Sequence, residues 1–163
     1  MLLAERKVLP PNWEARLRVR PKANFQFRQR ELELNREGGG SFRLILRQNA
    51  INQLDFSIIL TLKDSDGLEY VLRRHNGRHP SEHTNKLEKR LGQANSSFRN
   101  AFHIHMATER YQLAGLDIDG YAEITTAYSS FQTALDTMIG GNGFILSAGE
   151  ERTLFDFEDE EIS

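Results

Sequence analysis

The sequence predicts an α+β fold, an antiparallel sheet of about five to seven strands with one long C-terminal helix packed on one face. Apolar residues alternate with period two in several short runs, tight glycine or Asp-Gly turns join those runs, and a single helical stripe comes last. At 163 residues the chain has the length of one domain. Residues 1–149 are expected to form that domain, and residues 150–163 an acidic, mobile tail.

Pro10 and Pro11 stop a short first element. From Glu14 to Arg20, Leu17 and Val19 alternate with Arg16, Arg18 and Arg20, the pattern of a half-buried strand with a cationic outer side. Phe25 and Phe27 fit a second strand. Leu32 and Leu34 have the opposite parity, which a bulge near Gln29 or a break would reconcile. Gly38-Gly39-Gly40 lacks the lysine and hydroxyl of a phosphate loop and reads as a strand turn.

Phe42, Leu44 and Leu46 give the next alternating face, followed by Phe56, Ile58, Leu60 and Leu62. Asp64-Ser65-Asp66-Gly67 then turns the chain into the partner strand Leu68 to Arg74. Strict alternation places Arg73 and His75 on one side of that strand, with Tyr70 and Leu72 on the other. Ser81 to Leu91 reads as a short helix closed by Gly92, and Gln93 to Asn100 as a polar loop. In the run after Ala101, Phe102, Ile104 and Met106 face the core, so His103 and His105 are displayed together on the opposite face.

Tyr121, Ile124, Tyr128, Phe131, Leu135 and Met138 form one helical stripe, so a helix is expected from Asp119 to Ile139, opened by Asp117 or Asp119 and closed by Gly140-Gly141. An aromatic stripe at this spacing is core, with no catalytic role. Phe144, Ile145 and Leu146 add an edge strand. In the tail, Leu154, Phe155 and Phe157 interleave with acids in a pattern suited to docking on a partner or on the basic face.

A net charge of −2 conceals an asymmetry. The tail from Glu150 carries seven acids and one arginine, which leaves the body at +4, and Arg6 to Arg47 alone is +7. Arginine outnumbers lysine sixteen to five, a bias suited to bidentate contacts with phosphate or carboxylate. The plainer explanation is that arginines solvate outward strand faces and guard sheet edges. The chain has no cysteine, which removes disulfides, thiolate zinc sites and cysteine nucleophiles. No apolar run reaches the roughly 20 residues a membrane helix needs, and the N-terminus turns charged after four residues. A soluble cytoplasmic protein without membrane contact is expected, with oligomeric state left open.

All five histidines, His75, His79, His83, His103 and His105, fall between Arg73 and Tyr111. Imidazoles suit acid/base work near neutral pH and arginines suit a phosphorane, so metal-independent RNA cleavage is the chemistry these residue types support best, with no cofactor. The acid/base pair is expected from His103 or His105 with His75 or His79, and the phosphate ligands from Arg73, Arg74, Arg78 and Arg110. Two other readings stand beside it. His79, His83, His103 and His105 could supply four imidazoles to a structural metal site. A non-catalytic module could bind RNA, DNA or an acidic protein through the arginine-rich face. Histidines also gather on turns and strand faces without any chemistry.

The run from the Asp-Gly hairpin through HNGRH and FHIH to a final amphipathic helix, roughly Phe56 to Ile139, resembles the TumE-like proteins, toxin-family members of bacterial toxin–antitoxin modules. There too a strand ending in arginine and asparagine is followed by a histidine-rich turn and an H-x-H strand. The resemblance implies a toxin-like ribonuclease with an antitoxin or other protein partner. This chain departs from the pattern by its basic N-terminal region, the insert Ser81 to Asn100 and the acidic tail. ATERYQ, at 107–112, resembles a feature of a narrower bacterial family.

Overall fold

The computed structural model describes residues 2–17 and 26–147. In chain order the elements are β1 (Lys7–Leu9), α1 (Trp13–Arg16), β2 (Phe27–Asn35), β3 (Ser41–Asn49), β4 (Phe56–Lys63), β5 (Glu69–Asn76), β6 (His83–Thr84), α2 (Lys86–Arg90), β7 (Ser97–Phe98), β8 (His103–Met106), α3 (Glu109–Leu113), β9 (Tyr121–Ile124), α4 (Phe131–Gly141) and β10 (Phe144–Leu146). Six strands form one antiparallel sheet in the order β2-β3-β4-β5-β8-β9. The fold class is the α+β arrangement expected. None of the described helices is long and apolar enough to cross a membrane.

One sheet face is apolar for the reason the alternation gives. Leu32, Leu34, Phe42, Leu44, Leu46, Phe56, Ile58, Leu60 and Leu62 form the core with Trp13 and Leu17 from the N-terminal segment, and with Ala134, Leu135, Met138 and Ile139 of α4. Burying those last three large side chains contributes roughly 5–8 kcal/mol as an upper estimate. Helix α4 starts at Ser130: Ser130 Oγ accepts from Thr133 N at 3.1 Å and Thr133 Oγ1 from Ser130 N at 3.0 Å, a reciprocal cap.

Several expectations are corrected. The C-terminal helix is 11 residues long, and Tyr121 and Ile124 belong to β9, at the edge of the main sheet. Asp119 lies before that strand and caps no helix. The segment expected to form a strand at Glu14 is the helix α1 instead, because Trp13 and Leu17, four apart, both turn into the core. Residues 18–25, with Val19, Arg18, Arg20 and Phe25, lie outside the described residues, as do residues 148–163 with the tail. β2 runs through Gln29 with no bulge or break, so Phe27 simply faces the uncovered side, where the Arg47 guanidinium lies 5.4 Å from its ring centre.

The bulge falls in β5. Leu60 pairs with Arg73 and Thr61 with Val71, which leaves Leu72 as an extra residue. Parity resets there. Leu72 and His75 are both buried towards the core, and Arg74, rather than Arg73, shares a face with His105. β10 joins no edge of the main sheet but pairs in parallel with β1, and the junction is fastened by Lys7. The Lys7 ammonium donates to the carbonyl oxygens of Leu2, Leu3, Glu5 and Asn142 at 2.8–3.0 Å and lies 4.4 Å from the Phe42 ring centre. Burial pushes its pKa down to about 8, with Glu5 acting the other way.

Candidate functional site

Between β5 and β8 the chain makes an excursion, residues 77–102, that returns over the uncovered face of the sheet. Gly77 permits the close start: a Cβ there would sit 1.9 Å from Leu54 O. The excursion pairs with itself through β6 and β7, where His83 opposes Phe98 and Thr84 opposes Ser97. The turn of α2 within it is anchored by Glu88, which is buried and accepts hydrogen bonds from Arg110 and from the Tyr111 hydroxyl.

Four imidazoles come together beneath this excursion. Ring centres are separated by 5.2 Å for His79 and His103, 4.7 Å for His83 and His105, and 5.1 Å for His103 and His105. Two distant segments therefore do converge, but the pair on β8 is not displayed: His103 is 2% and His105 8% exposed. His75 stands apart on the covered face, 1% exposed, stacked on Tyr128 and donating from Nδ1 to Ala134 O at 3.1 Å. The β5 bulge is what separates it from the others.

Hydrogen bonds assign the tautomers. His103 donates from Nδ1 to Ala101 O at 2.7 Å and its Nε2 accepts from Asn76 Nδ2 at 3.2 Å, so both ring nitrogens are engaged. His105 donates from Nδ1 to Asp119 O at 2.8 Å, leaving the lone pair on Nε2. His83 donates from Nε2 to Asn85 Oδ1 at 2.9 Å, leaving the lone pair on Nδ1. His79 shares a 2.8 Å hydrogen bond between Nδ1 and Ser81 Oγ. Burial pushes the pKa of His75 and His103 down to about 4, that of His105 down to about 3, and that of His83 below its usual value; neighbouring cations, Arg74 among them for His83, His103 and His105, add to the effect.

His83, His105 and Arg74 line one cleft of about 410 Å³, with Lys86, Asp117 and Asp119 on its walls. That volume suits a nucleotide-sized ligand. Arg74 Nη2 binds Asp119 Oδ2 at 2.7 Å, and the same residue's main-chain oxygen holds His105. Of the other arginines singled out in the sequence, none lines this cleft. Arg73 is half-buried on the core side, Arg78 covers the Phe102 ring at 4.8 Å, and Arg110 holds Glu88 and lies over Tyr121 at 4.7 Å. Among the described residues, no group of three or more histidines and carboxylates has the arrangement of a metal site. His103, with both nitrogens committed, illustrates why.

Sequence reasoning missed Asn85 and misplaced Asp119. Asp119 read as a helix start and Asn85 fell inside the candidate helix Ser81 to Leu91, and neither position carried a hint of its long-range partners. Comparison of the chain with family models, curated proteins and solved structures gives no match.

Proposed function

We propose that the chain is a toxin-like, metal-independent ribonuclease whose working groups are His105, His83 and Arg74. The observation that carries this reading is that two imidazoles from separated segments, with ring centres 4.7 Å apart, line one nucleotide-sized cleft with a guanidinium. His103 and His79 buttress the pair, and His75 has no part in it.

In this reading a phosphodiester lies against Arg74 and Lys86. His105, neutral at pH 7 because burial lowers its pKa, takes the ribose 2′-hydroxyl proton on Nε2 as that oxygen attacks phosphorus. The bond from phosphorus to the 5′-oxygen breaks, and the departing oxygen takes a proton from His83. His83 is the less buried of the two rings, and the negative charge of bound phosphate favours its imidazolium form. Arg74 stabilises charge on the phosphorane.

Binding without cleavage, to nucleic acid or to a protein partner, is a second reading. It is favoured by the same lowered pKa values, which leave both imidazoles of the unliganded cleft neutral at pH 7. Incubation with a mixed RNA pool, with and without chelator, separates the two when His83→Ala and His105→Ala are run in parallel. Cleavage that survives the chelator and disappears in both variants is expected. Salt-sensitive RNA binding with no cleavage by any of the three proteins selects the second reading instead. The toxin-like character is tested by expression in a bacterial host, where the native chain should slow growth and His105→Ala should not.

A further inference from the structure

Asn85, 7% exposed at the start of α2, joins the excursion to the edge of the sheet. Its Nδ2 donates to Ala122 O at 2.9 Å and its Oδ1 accepts from Ala122 N at 2.8 Å. Ala122 lies on β9, the last strand of the sheet, so one side-chain amide pairs with the strand edge as a neighbouring strand would. The same Oδ1 accepts from His83 Nε2 at 2.9 Å. An amide oxygen cannot donate, so the proton of that bond belongs to the imidazole.

We propose that Asn85 is a positioning residue for the reaction assigned above, fixing both the place of His83 over the cleft and its tautomer, with Nε2 protonated and Nδ1 basic. The proposal rests on the cleft being the reaction site. The geometry nevertheless makes a claim about His83 that holds whether or not RNA is cut. This oxygen, which can only accept, holds the ring in the Nε2–H form and leaves Nδ1 as the acceptor. The charged and titratable groups around it are His79 from its own segment, Lys86 on α2, Arg74 on β5, His103 and His105 on β8, Glu82 paired with Arg99 at 3.7 Å, and Asp117 and Asp119 across the cleft.

The test is nitrogen-15 NMR of the histidine rings in the whole chain, native and Asn85→Asp, alongside the pH profile of RNA cleavage. In the native protein His83 should report Nε2–H. In Asn85→Asp a carboxylate within hydrogen-bond reach of the ring should raise the His83 pKa by about one unit or more, while His75, on the other face, stays as it was. The alkaline limb of the cleavage profile, set by the general acid His83, should move to higher pH with it. A native His83 protonated on Nδ1 overturns the proposal without any variant, and so does an unmoved His83 titration in a folded Asn85→Asp protein. A His83 titration that moves in a protein that never cleaves RNA leaves the positioning intact and removes the ribonuclease reading.

Discussion

Asp119 holds Arg74 and His105 at once: its carboxylate accepts from Arg74 Nη2 at 2.7 Å and its main-chain oxygen from His105 Nδ1 at 2.8 Å. The two bonds have different consequences, because a substitution removes the first and spares the second. Asp119→Asn should leave the His105 tautomer unchanged while freeing Arg74 for phosphate. RNA affinity at low salt should rise several-fold, at a stability cost of about 1 kcal/mol for the partly exposed ion pair. Affinity that falls would mean the carboxylate is needed to aim the guanidinium.

Acid should destabilise the protein through its buried imidazoles. A histidine whose folded pKa lies below the unfolded value of 6.5 leaves the unfolded chain binding more protons between those two values. Stability is therefore fully present above pH 6.5 and is lost as pH falls towards about 4 for His75 and His103 and about 3 for His105. His75 and His103 each account for roughly 3 kcal/mol over their window and His105 for roughly 5 kcal/mol. Urea denaturation at pH 7 and pH 5 reads the loss. His75→Gln should flatten the slope but leave RNA cleavage per folded molecule unchanged, and a tenfold drop in cleavage would return His75 to the site.

Replacing Lys7 by methionine removes the donor shared by four carbonyl oxygens. The thioether fills similar space beside Phe42 but donates nothing, so the oxygens it leaves are unpaired in a largely buried setting. A loss of roughly 2–5 kcal/mol is expected from chemical denaturation. Less than 1 kcal/mol would show that water reaches those oxygens.

Two glycines of the excursion should behave differently. Gly77→Ala puts a Cβ 1.9 Å from Leu54 O and 2.7 Å from the Phe56 ring, so backbone must move and several kcal/mol should be lost. Gly92→Ala meets nothing within 4 Å and carries only the strain of a φ of 71°, about 1 kcal/mol. Melting temperatures of the two variants give the comparison, and equal shifts would mean that the chain near Leu54 yields easily.

The sheet was legible because period-two alternation from Phe42 to Leu62 and the Asp64 turn are local signals with one interpretation. In that turn Asp64 Oδ1 accepts from the amides of Asp66 and Leu68, both at 2.9 Å. The stripe from Tyr121 to Met138 misled because steps of three and four also arise when a short strand and a helix follow one another. Ile124, Thr125 and Thr126, all β-branched, and the Ser130–Thr133 pair mark the true change from strand to helix. At the site, the pairing of His103 with His105 and their opposition to Phe102 could be read from spacing. Their burial could not, since His79, His83 and Phe98 of the excursion pack on them from elsewhere in the chain, and the separation of His75 depends on one extra residue, Leu72.

The pairing of β1 with β10 has a consequence for how the chain assembles. Lys7 and Asn142 are 135 residues apart, so the pocket for the ammonium is incomplete until the end of α4 has been made and docked. Closing that contact must overcome the entropy of a very long loop before it is rewarded. β1 works as the latch of the domain, held only once α4 and β10 are in place.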